Sequence, residues 1–104
     1  MMVFIETPVF TQAVRALLTD AEYSGLQHFL AKTPLAGDVI QHSGGMRKVR
    51  WKQTGKGKRG GVRVIYYYVA RDEQIRMLLI YPKTAQDNLT TEQLKRLRTL
   101  VERW

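Results

Sequence analysis

Residues 46–81, MRKVRWKQTGKGKRGGVRVIYYYVARDEQIRMLLIY, decide how this chain folds. Three strand-like runs lie within them, Met46 to Lys52, Val62 to Ala70 and Gln74 to Tyr81, rich in the β-branched and aromatic side chains that pack well on a pleated surface. Thr54 to Gly61, with four glycines and three cations, reads as a hairpin loop, and Arg71-Asp72-Glu73 as a tighter turn. The economical topology is an antiparallel meander. The middle run, VRVIYYYVA, is apolar on both faces except at Arg63, which predicts a central strand with a layer of helix over one side.

Upstream, Val3, Phe4 and Ile5 predict a first strand over about residues 2–6, ended by Glu6-Thr7-Pro8. Thr7 is placed to cap a helix and Pro8 suits its first position, with Val9, Phe10, Ala13, Ala16 and Leu17 recurring at helical period to about Leu18. Thr19 and Glu22 have capping-box spacing, so a second helix is predicted to about Lys32, closed by Pro34 and Gly37. Asp38 to Gln41 is a brief strand or extended arm before His42-Ser43-Gly44-Gly45. Thr90 and Gln93 repeat the capping spacing, and Leu94, Leu97, Val101 and Trp104 form the stripe by which a last helix would dock. The expectation is one α+β domain spanning 1–104: a small antiparallel sheet of about four strands, two N-terminal helices on one face, and a short C-terminal helix.

At 104 residues, 44% hydrophobic and 25% charged, the chain can bury one modest core. The absence of cysteine excludes disulfide scaffolds, thiolate zinc sites and cysteine nucleophiles. The longest apolar run, Val64 to Ala70, is far short of the roughly 20 residues a membrane span requires. No charged, apolar leader is evident at the start, so a cytoplasmic protein is expected.

Charge is the informative term. Arg47 to Arg63 holds eight of the seventeen basic residues, and no carboxylate occurs between Asp38 and Asp72, so the net charge of +8 is concentrated here. Clustered like charges repel one another unless a polyanion neutralises them, which points to nucleic acid. Strand alternation puts Lys48, Arg50 and Lys52 on one face and Val49 and Trp51 on the other. With Arg63 opening the partner strand and Lys83 following the third, a meander brings these cations to one concave face. Arg offers a bidentate fork to phosphate and Lys a compact charge. A solvated loop is the plain alternative for Lys56, Lys58 and Arg59, and a strand with one wet face the alternative for Lys48, Arg50 and Lys52. Arg63 favours the phosphate reading, because a cation in an otherwise apolar strand needs an anionic partner and no acid lies near it in sequence. Tyr66, Tyr67, Tyr68 and Tyr81 either stack on bases or join the core. His28 and His42 have no recognisable catalytic partner, there is no phosphate-cradling GxxxxGKS motif, and neither metal nor cofactor is expected.

At these residues the sequence resembles the RelE/ParE superfamily of bacterial toxin–antitoxin toxins, most closely the HigB-like RelE branch. The likeness runs over nearly the whole chain and is carried by GG-x-RK-x-R, then GKGKRGG-x-R-x-IYYY, then LLIYPK. The resemblance implies a small ribosome-dependent endoribonuclease that cuts mRNA in the decoding site and is neutralised by a cognate antitoxin with a helix-turn-helix domain. It implies that Lys48, Arg50, Arg63 and Lys83 perform cleavage. Arg47, Lys52, Lys56, Lys58, Arg59 and Tyr81 are then expected to contact RNA or the ribosome. Where some members carry Arg and then Tyr or His after the last strand, this chain has Thr84 and Ala85-Gln86-Asp87-Asn88, so the resemblance supplies no general base at these positions.

Cleavage by attack of a 2′-hydroxyl on the adjacent phosphate needs a proton acceptor, a donor for the departing 5′-oxygen, and stabilisation of added negative charge. Crowding by Arg50, Lys52 and Arg63 would disfavour the ammonium form of Lys48 and suit it to accept the proton. Arg63 would hold the phosphate and Arg50 the developing charge. Without a histidine or carboxylate in the site, the ribosome is expected to supply missing geometry. Removing Arg63 is expected to spare the fold. Two other readings stay open: a ParE-like gyrase inhibitor, and an RNA-binding module without catalysis.

Overall fold

The computed structural model describes residues 1–54 and 60–104. Five strands, β1 (Val3–Glu6), β2 (Asp38–Val39), β3 (Arg47–Trp51), β4 (Val62–Val69) and β5 (Gln74–Pro82), form one sheet in the order β1-β5-β4-β3-β2. The helices are α1 (Pro8–Leu17), α2 (Asp20–Lys32) and α3 (Thr91–Arg103). The α+β architecture and the β3-β4-β5 meander agree with expectation. The sheet is mixed, however, because β1 pairs with β5 in parallel, Val3 opposite Gln74 and Glu6 opposite Met77. The brief arm after α2 is a two-residue edge strand on β3.

Local signals set the helix starts. Thr7 Oγ1 accepts from the Phe10 amide at 3.1 Å and donates to the Leu78 carbonyl at 2.9 Å, so one hydroxyl both caps α1 and fastens it to β5. Thr19 with Glu22, and Thr90 with Gln93, close reciprocal capping boxes at α2 and α3.

Strand alternation sorts the core into two layers. On one face Phe10 and Val14 of α1 and Leu26 and Leu30 of α2 pack against Val49, Val62, Val64, Tyr66, Ile75 and Met77. On the other, Ile65, Leu78 and Tyr81 meet Val101, with Leu94 and Leu97 of α3 beside them. A register shift at Ile65/Tyr66, where the partners pass from Leu79 to Met77, leaves Leu78 unpaired and puts the neighbours Leu78 and Leu79 in the same layer, so that Met77 and Ile80 both face α1 and α2. The last helix is thirteen residues long rather than short, and it covers the face opposite α1 and α2. Trp104 leaves its apolar stripe: 43% exposed, it lies beneath the Arg76 guanidinium, 4.5 Å from ring centroid to Cζ.

Gly61 fixes the hairpin root. Its φ is +62°, and a Cβ there would stand 2.1 Å from the Trp51 carbonyl oxygen, so only glycine lets β3 and β4 close at this point. Among the described residues no helix is long and apolar enough to cross a membrane.

Candidate functional site

The α3 layer covers only part of its face. Beyond it, toward the hairpin, the register aligns Arg50 with Arg63 and Arg63 with Tyr81, while Lys48 lies opposite Ile65 one step back along β3. Directly opposed residues share a face, so Lys48, Arg50, Arg63 and Tyr81 form a row across three strands, as the alternation predicts. Lys83 continues from β5, its amide donating to the Gly61 carbonyl at 3.1 Å. Its side chain passes where a Cβ on Gly60 would be, 2.6 Å from Cδ. Exposed Lys52 lies just past β3, and with Arg50, Trp51, Gln53, Gly60 and Gly61 it lines a cleft of about 440 Å³.

Arg63 is the buried member, with 3% of its surface exposed. Its Nη1 donates to the Gly60 carbonyl at 3.0 Å and the Val62 carbonyl at 3.4 Å, and its Nη2 lies 3.7 Å from Asp87 Oδ1. Its Nε has no hydrogen-bond partner among the described residues. The expectation that Arg63 has no acid beside it is therefore corrected: the partner is Asp87, brought over the row by the segment after β5. Lys48 also reaches this segment, donating to Asn88 Oδ1 at 2.7 Å and to the Asp87 carbonyl at 3.4 Å, so it is not surrounded by cations alone. A carboxylate does stand in the site.

Tyr81 is core, 6% exposed, with its hydroxyl donating to the Asp87 carbonyl at 3.4 Å. Burial pushes its ionisation up and Asp87 adds to that, outweighing the opposing pull of Arg63. With so little of its surface free, Tyr81 is not a stacking platform. Tyr66 is likewise internal, donating to the Pro34 carbonyl at 2.7 Å and accepting from the Gly37 amide at 2.9 Å. Tyr67 and Tyr68 are half-buried.

Arg47 leaves the cluster. It opposes Tyr66 on the helix-covered face, and its Nη1 donates to the carbonyls of Leu35 at 3.2 Å and Gly37 at 2.8 Å, tying down the link between α2 and β2. The spacing predicts this, since Arg47 has the parity of Val49 and Trp51. Lys56, Lys58 and Arg59 lie outside the described residues. His28 sits on α2, across the sheet from the row, with Nδ1 2.8 Å from the Ser24 carbonyl. His42 has φ +61° and accepts from Arg98 through its carbonyl at 3.1 Å. Among the described residues no three His, Cys, Asp or Glu side chains gather as metal ligands.

Two residues that touch the row, Asp87 and Asn88, escaped sequence reasoning. The available signal was that Asp87 is the sole carboxylate between Glu73 and Glu92. The family model described as RelE toxin of RelE / RelB toxin-antitoxin system matches residues 31–104, a span that takes in β2 to α3 and the whole cationic row. The chain belongs to the RelE toxin family. As a RelE-family toxin it belongs to the toxin side of a toxin–antitoxin pair, and its row of cations lies wholly within the matched segment.

Proposed function

We propose that this RelE-family toxin is a ribosome-dependent endoribonuclease that cleaves mRNA, acting in the cytoplasm and held in check by a cognate antitoxin with a helix-turn-helix domain. The observation that carries the reading is the alignment of Arg50 with Arg63 across β3 and β4, with Lys48 two residues away on the same face of β3. A protein that only bound another protein would have little need of two arginines paired directly across neighbouring strands beside a lysine, whereas stabilising a phosphodiester that gains charge calls for such donors.

In this mechanism the 2′-oxygen bonds to the adjacent phosphorus, the bond to the 5′-oxygen breaks, and a 2′,3′-cyclic phosphate and a 5′-hydroxyl result. Arg63 holds a non-bridging oxygen and Arg50 meets the charge that develops. Lys48 sits beside them for proton transfer, and Lys83 extends the cationic rim. None of these is a conventional acid–base pair, so positioning by the ribosome has to supply part of the rate.

The test is purified toxin with translating ribosomes and with naked mRNA. Cleavage is expected on ribosomes alone, and Arg63→Ala is expected to lower its rate by about 10²–10³, the usual cost of losing one transition-state donor. Arg63→Lys recovers little, because a point charge does not replace a fork. A folded Arg63→Ala protein that remains fully toxic would overturn this reading and favour gyrase inhibition.

A further inference from the structure

The side chain best suited to grip a phosphate is closed off. Arg63 is only 3% exposed, and among the described residues two consecutive ones in the segment between β5 and α3 set oxygen atoms before the row, in addition to the Gly60 and Val62 carbonyls that accept from Arg63. Asp87 Oδ1 faces Arg63 Nη2 at 3.7 Å, Asn88 Oδ1 accepts from Lys48 Nζ at 2.7 Å, and the Asp87 carbonyl accepts from Lys48 at 3.4 Å and from Tyr81 Oη at 3.4 Å. A carboxylate oxygen, an amide oxygen and a carbonyl thus meet the donors that a phosphate group would use.

The segment is held at its base rather than at its tip. Ala85 donates its amide to the Pro82 carbonyl at 3.0 Å, and Gln86 Nε2 donates to the Asn88 carbonyl at 3.0 Å and to Gln93 Oε1 at 2.8 Å. Leu89 then packs partly into the α3 layer. Asp87 itself is 64% exposed, and its 3.7 Å separation from Arg63 is well beyond the ~2.8 Å of a strong charge-assisted bond. Such a contact occupies the donors without locking them, and a better-placed anion can displace it.

We propose that Asp87 and Asn88 form an autoinhibitory latch, an internal substitute for the substrate phosphate that must leave Arg63 and Lys48 before a phosphodiester can bind. This rests on the reading of the row as the phosphate site. The latch makes the free toxin a poor binder of loose phosphates and reserves the site for RNA whose backbone is held against the row from outside. It costs little when that backbone is rigidly presented, because the displaced carboxylate returns to water.

The experiment titrates inorganic phosphate into the full chain at about 0.15 M salt, where distant charges are screened, and follows the ¹H–¹⁵N resonances of the Arg63 guanidinium and Lys48 ammonium groups. Asp87→Asn combined with Asn88→Ala is expected to tighten phosphate binding at these groups roughly three- to tenfold, the range set by losing one exposed-to-buried charge contact. Asn88→Asp, which adds a carboxylate facing Lys48, is expected to weaken binding by a similar factor. Asp72→Asn changes net charge as much as Asp87→Asn does, at an exposed position in the turn at the opposite end of β4 from Arg63, and is expected to change nothing. Equal affinity in wild type and all variants would overturn the latch, as would equal tightening in Asp72→Asn. The two readings fail separately. Unchanged phosphate binding beside an inactive Arg63→Ala removes the latch and leaves the nuclease, whereas tighter binding beside a fully active Arg63→Ala leaves the latch and removes the nuclease.

Discussion

Arg63 shows how a single residue can be correctly singled out and still misjudged. A cation opening an apolar central strand is conspicuous, because it breaks a two-sided hydrophobic run and must be compensated. Its compensation was illegible because Asp87 lies beyond β5 and reaches it only through the strand pairing, and because the Gly60 and Val62 carbonyls that accept from it are backbone groups with no sequence signature. The consequence concerns stability. The expectation that removing Arg63 spares the fold held that it was an unpaired member of a repulsive cluster, but it is buried and hydrogen-bonded. Arg63→Ala is therefore expected to destabilise the protein by about 1–3 kcal/mol, the cost of leaving buried carbonyls unsatisfied, reduced by relief of cation repulsion. Urea unfolding checks this: a lower midpoint at unchanged slope is expected, and a midpoint at or above wild type would mean that repulsion dominates. Arg47 makes the complementary point. Composition places it in the cationic cluster, whereas strand parity places it among the core residues, and parity wins because a side chain on a pleated strand has only two directions to point.

Among the elements, those specified locally were legible and those specified by long-range pairing were not. Thr7, Thr19 and Thr90 cap the helices they were expected to cap, because a cap is settled within four residues. The hairpin strands were visible for the same reason. The parallel pairing of β1 with β5 was not, since alternation reads alike in either direction, and neither was the side of the sheet on which α3 docks. The root of the hairpin carries a further device that the capping box conceals. Glu22 accepts the Thr19 amide through Oε1 at 2.8 Å, and through Oε2 it accepts both the hydroxyl of Thr54 at 2.8 Å and the Thr54 amide. Trp51 Nε1 donates to the Glu22 carbonyl at 2.9 Å and Gln53 Nε2 to the Leu17 carbonyl at 2.7 Å, so the exit of β3 is strapped to both N-terminal helices. The Thr19 amide, followed by the amide and hydroxyl of Thr54, lowers the Glu22 carboxyl to about 2. A depressed carboxyl contributes stability that is present above its ordinary value of 4.5 and is lost as pH falls through about 2. The Thr54 amide proton is therefore expected to shift in NMR spectra with a midpoint near 2. Glu22→Gln should abolish that step and move the Thr54 resonance toward its random-coil position at neutral pH. A midpoint near 4.5 in the wild type would show that the strap does not form.

At the scale of the whole molecule, the proposed nuclease activity divides attraction and chemistry between two sets of cations. One face of the sheet is sealed by α1 and α2, and the other is shared between the α3 layer and the cationic row. The net charge of +8 is much larger than the row itself requires, and Lys56, Lys58 and Arg59 contribute three of those charges without belonging to the described site. Phosphate contacts made by such lysines and arginines fix register and orientation without reacting, and each contact releases a counterion. Replacing all three with Ala lowers the net charge from +8 to +5 and is expected to reduce the slope of log affinity for ribosomes against log salt by roughly two to three units. Cleavage at saturating toxin is expected to survive, because the Arg50–Arg63 alignment is untouched. Arg63→Ala should do the reverse, changing the slope by about one unit or less while the saturated rate collapses by about 10²–10³. Single-turnover cleavage measured across salt concentrations distinguishes the two. If the triple variant loses its saturated rate at an unchanged slope, those three residues take part in the chemistry, and the separation of a steering hairpin from a reacting row is wrong.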